Sequence, residues 1–129
     1  MAELVRTALQ DGLVSLEING EFDLADLAQA QDLIPAALDG AASGFLLDLS
    51  GCAFIDSSGV RTLLETNARA LEAGLPFAIA SSNGHVRRVL ELTGLFDELP
   101  VFDDRSAALR SLSRKSRVNG SSETSPIDG

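Results

Sequence analysis

The chain has 129 residues, of which 45% are hydrophobic, and this size and composition predict one soluble domain with a single core and no membrane-spanning helix. A single cysteine, Cys52, excludes an internal disulfide and a multi-cysteine metal site. The net charge of −9, which comes entirely from residues 1–60, makes nucleic acid a poor partner because phosphate binding requires clustered lysine and arginine.

The first two predicted elements are strands joined by a hairpin turn. ELVRTALQ and LVSLEING are short, partly alternating segments, and Asp11-Gly12 between them is a strong turn sequence. Alternate residues of the second segment are apolar, as in a strand with one buried face. We expect this strand to end at Gly20.

A helix is predicted after the hairpin. Asp23 stands directly before a helical pattern of apolar residues and is expected to cap the helix. Pro35 lacks an N–H group, so it should kink this helix or make it restart with a new turn. The apolar residues of the pattern include Leu24, Leu27, Ala28, Ile34 and Leu38.

The central segment combines a buried strand with a second helix. FLLDLS is apolar on both faces, which is typical of a strand inside a parallel sheet. After a polar break, a helical pattern begins at Ser58 and stops before Gly74. We expect Phe54 and Ile55 to anchor the intervening loop beneath the serine pair.

The last third of the chain continues the alternation. PFAIA predicts a buried strand, a third helix ends at Gly94, and LPVF predicts an edge strand. Asp103 or Asp104 can cap a final helix. We interpret the basic residues near the C-terminus as the solvated face of this helix, namely Arg105, Arg110, Arg114, Lys115 and Arg117.

These elements predict an α/β fold in the order β-β-α-β-α-β-α-β-α. A hairpin followed by alternating strands and helices indicates a mixed β-sheet packed against about four α-helices. We expect one domain over residues 3–115. Residues 116–129 have little apolar content and are expected to form a disordered C-terminal tail. The N-terminus has no apolar export sequence, so we expect a cytoplasmic protein.

The adjacent serines, Ser57 and Ser58, are the candidate functional residues because they lie at the carboxyl end of a predicted strand, where open α/β sheets usually place their sites. A hydrolase would need a G-x-S-x-G turn with a general base, but the serines stand in Ile-Asp-Ser-Ser-Gly and the single histidine, His85, starts another helix. A phosphate-binding loop would need a lysine close to Gly59, and the sole lysine is Lys115. We therefore expect a protein that is not an enzyme and has no cofactor or metal.

Helix capping is the simplest role for these residues. Either Asp56 or Ser57 could accept the unpaired N–H groups at the start of the helix. Capping does not explain the second serine, Ser58, or the acidic surface around it. The residues alone leave both a structural and a regulatory role open.

Three segments carry a resemblance to a known family. DLSGCAFIDSSGVRTLL resembles the strand, loop and Asp-Ser-Ser-Gly helix start of the STAS domain family, and within it the small bacterial anti-sigma factor antagonists. GEFDLAD resembles the family's Gly-Glu-hydrophobic-Asp segment, and NGHVRRVLELTGLFDELPVFDDRSAAL resembles its C-terminal third. The segments occur in the family's order and span roughly residues 4–113.

The resemblance implies a phosphorylation switch at the second serine, which is Ser58 here. In the family an anti-sigma factor, itself a serine kinase with a histidine-kinase-like ATPase fold, phosphorylates that serine. The unphosphorylated antagonist binds this kinase and releases a sigma factor, and a PP2C-type phosphatase reverses the modification. The residues expected to bind the partner are Glu21, Asp23, Asp56, Ser57, Gly59 and Arg61.

Two residues depart from the family pattern, and the family also has a second function. Pro35 and Arg61 are departures that could alter partner choice. STAS domains also serve as unphosphorylated adaptor subunits, for example on the ATPase of a bacterial lipid-transport system. An adaptor is the alternative function, although the intact Asp-Ser-Ser-Gly sequence disfavours it.

Overall fold

The structure, a computed structural model, describes residues 1–82 and 84–124. Its strands are β1 (Ala2–Ala8), β2 (Leu13–Phe22), β3 (Gly44–Asp48), β4 (Cys52–Ile55), β5 (Phe77–Ala80) and β6 (Val101–Phe102). Its α-helices are α1 (Leu27–Gly40), α2 (Ser57–Ala73), α3 (Gly84–Leu92) and α4 (Arg105–Thr124). Two short 3₁₀ turns, Gln10–Gly12 and Leu24–Asp26, precede β2 and α1.

The described strands form one mixed sheet in the order β1-β2-β3-β5-β6, with β4 paired to β2. β1 is antiparallel to β2, and the other pairs are parallel. The predicted α/β fold with a mixed sheet is therefore confirmed. The predicted element order is wrong at one point, because residues 52–55 form a strand and not a loop.

β2 is longer than the sequence predicts. The expected hairpin is present, and Asp11 and Gly12 adopt positive φ angles of 60° and 80° in its turn. Gly20, with φ of 96°, does not end the strand. It marks a register shift, after which β2 continues to Phe22 alongside β4. Ala53 of β4 is the extra residue at this shift, so the bulge lies in β4 opposite Gly20 and Glu21 and does not end β2.

Helices cover both faces of the sheet. Phe45 and Leu47 of β3 belong to a large buried cluster that also contains residues of α1, α2 and α3. Leu46, which points to the opposite face, belongs to a smaller cluster with Ala108 and Leu112 of α4. β3 is buried along its whole length, as its apolar sequence predicts.

α1 is continuous through Pro35, so the predicted restart with a new turn is wrong. A proline at this position removes the hydrogen bond to the carbonyl of Gln31. Ala30, Ile34 and Ala37 on either side of it are buried in the large cluster. This packing holds the helix together across the missing bond.

α4 begins as predicted at an aspartate cap. The Asp104 carboxylate accepts the N–H of Ala107 at 2.8 Å. Arg105 does not lie on a basic solvated face, because its guanidinium donates to Asp48 at 2.8 Å and to the hydroxyl of Ser15 at 3.3 Å. Burial raises the pKa of Asp48, but hydrogen bonds from Ser50 and Arg105 outweigh it and leave the pKa below its usual value.

The predicted C-terminal tail falls partly outside the described residues. The helix assignment of α4 reaches Thr124, so residues 116–124 lie within its bounds. Residues 125–129 are not among those described. The domain boundary at residue 115 stays a prediction.

We expect deletion of residues 119–129 to leave the thermal midpoint of unfolding nearly unchanged, because Leu112 is the last buried side chain described in α4. Leu112→Ala, in contrast, should lower the free energy of unfolding by about 2–5 kcal/mol through the cavity it creates. Thermal unfolding followed by circular dichroism compares both variants with the full chain. A loss of several degrees on truncation would show that the deleted residues pack against the domain.

Candidate functional site

Asp56 lies at the centre of the candidate site, because its carboxylate joins two loops. It is the N-cap of α2, and its Oδ1 accepts the N–H groups of Ser58 at 2.9 Å and Gly59 at 3.0 Å. Its Oδ2 accepts the N–H of Leu24 at 3.1 Å, from a residue 32 positions earlier. Of the two capping candidates, Asp56 is therefore the cap, and Ser57 is not needed for that role.

Strand pairing brings these two loops together. Beyond the bulge, Glu21 and Phe22 of β2 lie opposite Phe54 and Ile55 of β4. The N–H of Asp56 then donates to the carbonyl of Phe22 at 3.3 Å. The missed strand β4 is thus the element that places the start of α2 beside the end of β2.

The loop after β2 is held by its own carboxylates. Asp23 caps the 3₁₀ turn, since its Oδ1 accepts the N–H of Ala25 at 3.0 Å, while Asp26 Oδ2 accepts the N–H of Asp23 at 3.1 Å. The other oxygen of Asp26 accepts the N–H of Ala2 at 2.8 Å. The predicted capping role of Asp23 is confirmed, although the cap is on a 3₁₀ turn and α1 begins four residues later, at Leu27.

Asp26 was not singled out from the sequence, yet its side chain is only 2% exposed. Burial raises the pKa of its carboxyl group, but backbone hydrogen bonds from Ala2 and Asp23 outweigh it, and the pKa lies below its usual value. The carboxylate therefore remains ionised at neutral pH and ties the loop to β1. An acidic residue three positions after a capping aspartate is the sequence pattern that could have revealed it.

The two serines differ in their surroundings. Ser57 is exposed, and Ser58 is half-buried in the first turn of α2. The N–H of Ser58 donates to Asp56, and its carbonyl accepts the hydroxyl of Thr62 at 3.0 Å. Within the described residues the Ser58 hydroxyl makes no hydrogen bond of its own. Its backbone is fixed while its hydroxyl is left for solvent or a partner.

Gly59 is required by packing at the start of α2. A Cβ atom at this position would lie 2.4 Å from Cγ1 of Ile55 and 3.0 Å from Cδ2 of Phe22. Both of these side chains are buried. The first turn of the helix therefore rests directly on the ends of β2 and β4, and the glycine allows that close approach.

The other two expected partner-binding residues lie at the edge of the site. Glu21 is exposed at the end of β2, and its carboxylate is 4.0 Å from the N-terminal amine of Met1. Arg61 is exposed in α2 and forms no ion pair within the part of the chain that the structure describes. Hydrogen bonds join Asp23, Asp56, Ser58 and their neighbours into one unit, and within the described part of the chain no side-chain hydrogen bond links Glu21 or Arg61 to it.

The side chains of Phe54 and Leu24 are not placed as the sequence predicts. Ile55 is buried beneath the loop, as expected, but Phe54 is 40% exposed and its ring stacks on the ring of His85, with centroids 5.0 Å apart. Leu24 is 65% exposed, outside the buried face of α1. Side chains alternate along a strand, so Phe54 and Ile55 must point to opposite faces once β4 is recognised.

Chemically, the site presents a hydroxyl group at a helix N-terminus on an acidic surface. A hydroxyl so placed can accept a phosphoryl group without displacing a buried contact. Among the described residues, no cluster of histidine, cysteine, aspartate or glutamate is placed to hold a metal ion. In the same residues, no helix has the length and apolar content needed to cross a membrane.

The sequence matches a family model and a named relative. The model of the STAS domain matches residues 5–108. The chain is also 27% identical over 106 residues to the anti-sigma F factor antagonist of Paenibacillus polymyxa. That match covers 78% of this chain and 87% of the relative.

Solved structures share the fold. A crystal structure of an anti-sigma factor antagonist from Mycobacterium paratuberculosis aligns with a TM-score of 0.79 at 23% identity, covering 88% of this chain and 95% of that one. The Bacillus cell fate determinant SpoIIAA in its phosphorylated form aligns with a TM-score of 0.64 at 20% identity, covering 84% of this chain and 98% of that one. At these identities the likeness concerns the fold alone.

We expect Gly59→Ala to destabilise the domain by about 1–3 kcal/mol, because its methyl group must displace the buried side chain of Ile55 or Phe22. The better helix propensity of alanine does not compensate for this overlap. Gly84→Ala is the matched control, since a Cβ at Gly84 in α3 would meet no atom within 4 Å. Its stability should be unchanged or slightly raised. Chemical denaturation measures both, and equal effects at the two glycines would contradict the packing role of Gly59.

Proposed function

This chain belongs to the STAS domain family, and we propose that it is an anti-sigma factor antagonist whose binding is switched off by phosphorylation of Ser58. In its unmodified form it binds an anti-sigma factor that is a serine kinase, and so releases a sigma factor. Phosphorylation by that kinase ends the complex, and a PP2C-type phosphatase restores it. The name of the Paenibacillus polymyxa relative and the family resemblance around Asp-Ser-Ser-Gly support this assignment.

The observation that carries the proposal is the contrast between the backbone and the hydroxyl of Ser58. Its N–H is held by the Asp56 carboxylate at 2.9 Å, and Gly59 fixes the same turn against Ile55 and Phe22. Its hydroxyl has no hydrogen bond within the described residues, and the residue is half-buried rather than enclosed. A role in capping would instead have placed the serine oxygen on a backbone N–H, which is where Asp56 is found.

The charge around Ser58 indicates how a phosphoryl group would act. The group adds about −1.5 to −2 charge at neutral pH. The N–H groups of Ser58 and Gly59 already bind Asp56, so they are not available to a phosphate. Repulsion from Asp56 and from the nearby Asp23 should direct the phosphate outward, toward a bound partner. The modification is therefore expected to weaken binding by repulsion and desolvation at the interface, and not by unfolding the domain.

We expect the protein to form a complex with an anti-sigma serine kinase from its own host in the presence of ADP, and we expect ATP to dissolve that complex as phosphate accumulates. Ser58→Ala should fold normally, bind the kinase and resist ATP. Ser58→Asp should fold normally and bind weakly, because a fixed charge lies in the contact surface. Ser57→Ala is the matched control for the modification, and ATP should still dissolve its complex because Ser58 is retained. Pull-down and calorimetry with each nucleotide measure binding, and thermal unfolding of the same variants measures stability.

Mass spectrometry after incubation with the kinase and ATP should place one phosphate on Ser58 and none on Ser57. Phosphate only on Ser57, or release of Ser58→Ala by ATP, would contradict the assignment. If no kinase of this class from the host binds the wild type, the adaptor function becomes the better proposal.

A further inference from the structure

A groove of about 700 Å³ opens at the C-terminal end of α2, away from the candidate site. It lies where α2 ends and β5 begins, and its lining includes Leu71 and Gly74. Gly74 stands 16 residues after Ser58, about 24 Å away at the usual helical rise. The groove and the serine pair are therefore at opposite ends of one helix, and both can be in contact with another molecule at the same time.

Most of the groove lining is apolar. Phe77 and Leu99 are buried members of the large cluster, and Leu75 is a half-buried residue packed against it. Leu71 borders the same groove and is 73% exposed. Single exposed leucines are ordinary, but this one adjoins a cavity lined by further apolar side chains, so a partner seated there removes a continuous apolar surface from water.

Charged residues of both signs complete the lining. Arg114 and Lys115 come from α4, whereas Asp97 and Glu98 come from the segment before β6. All four are exposed, and within the described residues none of them forms an ion pair. Their formal charges cancel, although the chain as a whole carries −9. A second acidic molecule of this kind is therefore not repelled at the groove as it would be by residues 1–60.

The two sets of charges favour a second copy of this chain as the occupant. A partner surface of one sign would leave one set in the groove opposite a like charge. A second copy supplies both signs. A two-fold axis that runs along the groove places the bases of each α4 against the acids of the other molecule, in two equivalent contacts. The exposed Leu71 of each copy then contacts the apolar lining of the other.

We propose that this groove is the interface of a homodimer, with Leu71 at its apolar centre and the four charged residues paired across the two-fold axis. The inference does not depend on the proposed function, because it uses none of the residues around the serine pair. Ser58 of both molecules lies outside this interface. A dimer built in this way presents two separate Ser58 sites.

Sedimentation equilibrium of the full chain, over a concentration series that extends to the millimolar range, tests the apolar centre. The wild type should approach twice the monomer mass. Leu71→Ala should fold normally, because the side chain is exposed, and should weaken dimerisation on the order of tenfold or more. Leu92→Ala is the matched control. Leu92 is 77% exposed but does not line the groove, so this variant should dimerise like the wild type.

Charge reversal tests the two-fold pairing. The double variant Arg114→Glu, Lys115→Glu has only acidic charges in the groove, and the double variant Asp97→Lys, Glu98→Lys has only basic ones. Each variant alone should dimerise roughly tenfold more weakly or worse, because like charges then face each other across the axis. An equimolar mixture of the two should form a heterodimer, since every contact again joins opposite charges. Recovery in the mixture also shows that both variants are folded.

The remaining outcomes decide against the interface. A wild type that stays monomeric throughout the series, a Leu71→Ala variant that dimerises as tightly as the wild type, or a mixture of the charge-reversed variants that does not associate would each overturn the proposal. Ser58→Asp should dimerise normally, and loss of the dimer in that variant would place the interface at the other end of α2. Dimerisation that appears only after deletion of residues 119–129 would assign the groove to the chain's own C-terminal residues and would also overturn it.

Discussion

The candidate site depends on one carboxylate, that of Asp56. Its two oxygens accept three backbone N–H groups, two from the first turn of α2 and one from Leu24 in the loop after β2. The contact is possible because β2 continues beyond its last pair with β3, Glu17 with Asp48, and pairs with β4 from Gly20 to Phe22. Sequence segments more than 30 residues apart are thereby fixed as a single surface. The charge-assisted bonds of a carboxylate to backbone N–H groups are stronger than neutral ones, which suits it to this linking role.

A fixed surface that carries a hydroxyl without a hydrogen bond among the described residues, as at Ser58, is well suited to regulation by phosphorylation. The backbone of Ser58 is held by Asp56, and the neighbouring Gly59 is held by close packing on Ile55 and Phe22. Neither constraint involves the hydroxyl group, so its modification changes the charge of the surface while the fold is maintained. The buried carboxylate of Asp26, ionised by hydrogen bonds from Ala2 and Asp23, gives the adjacent loop the same rigidity. We infer that the backbone of Ser58 and the packing of Gly59 maintain the fold, while the hydroxyl of Ser58 receives the regulatory phosphate.

Local patterns predicted much of this structure, and non-local contacts account for what they missed. The cap at Asp23 follows from the placement of an aspartate before a helical pattern, which needs only neighbouring residues, whereas the sequence left Asp56 and Ser57 as alternatives for the cap of α2. β4 was missed because four residues between a glycine turn and a helix carry too little periodicity to identify a strand. The exposure of Phe54 follows from its place in β4, so the sequence did not predict that exposure either.

The bond between Arg105 and Asp48 joins residues 57 positions apart, and composition alone indicated only a basic helix face. Pro35 was expected to interrupt α1, but burial of that helix outweighed one lost hydrogen bond.

Amide hydrogen exchange at Leu24 and Gly59 tests most directly whether phosphorylation of Ser58 leaves the two loops linked through Asp56. Both N–H groups donate to Asp56, so their exchange reports whether the link between the loops is closed. The measurement compares the unmodified domain with the domain phosphorylated on Ser58, alongside the affinity of each form for the anti-sigma kinase. We expect protection at both amides to be retained after phosphorylation while the affinity falls. Loss of protection at Leu24 and Gly59 on phosphorylation would contradict this, because the modification would then act by opening the loops.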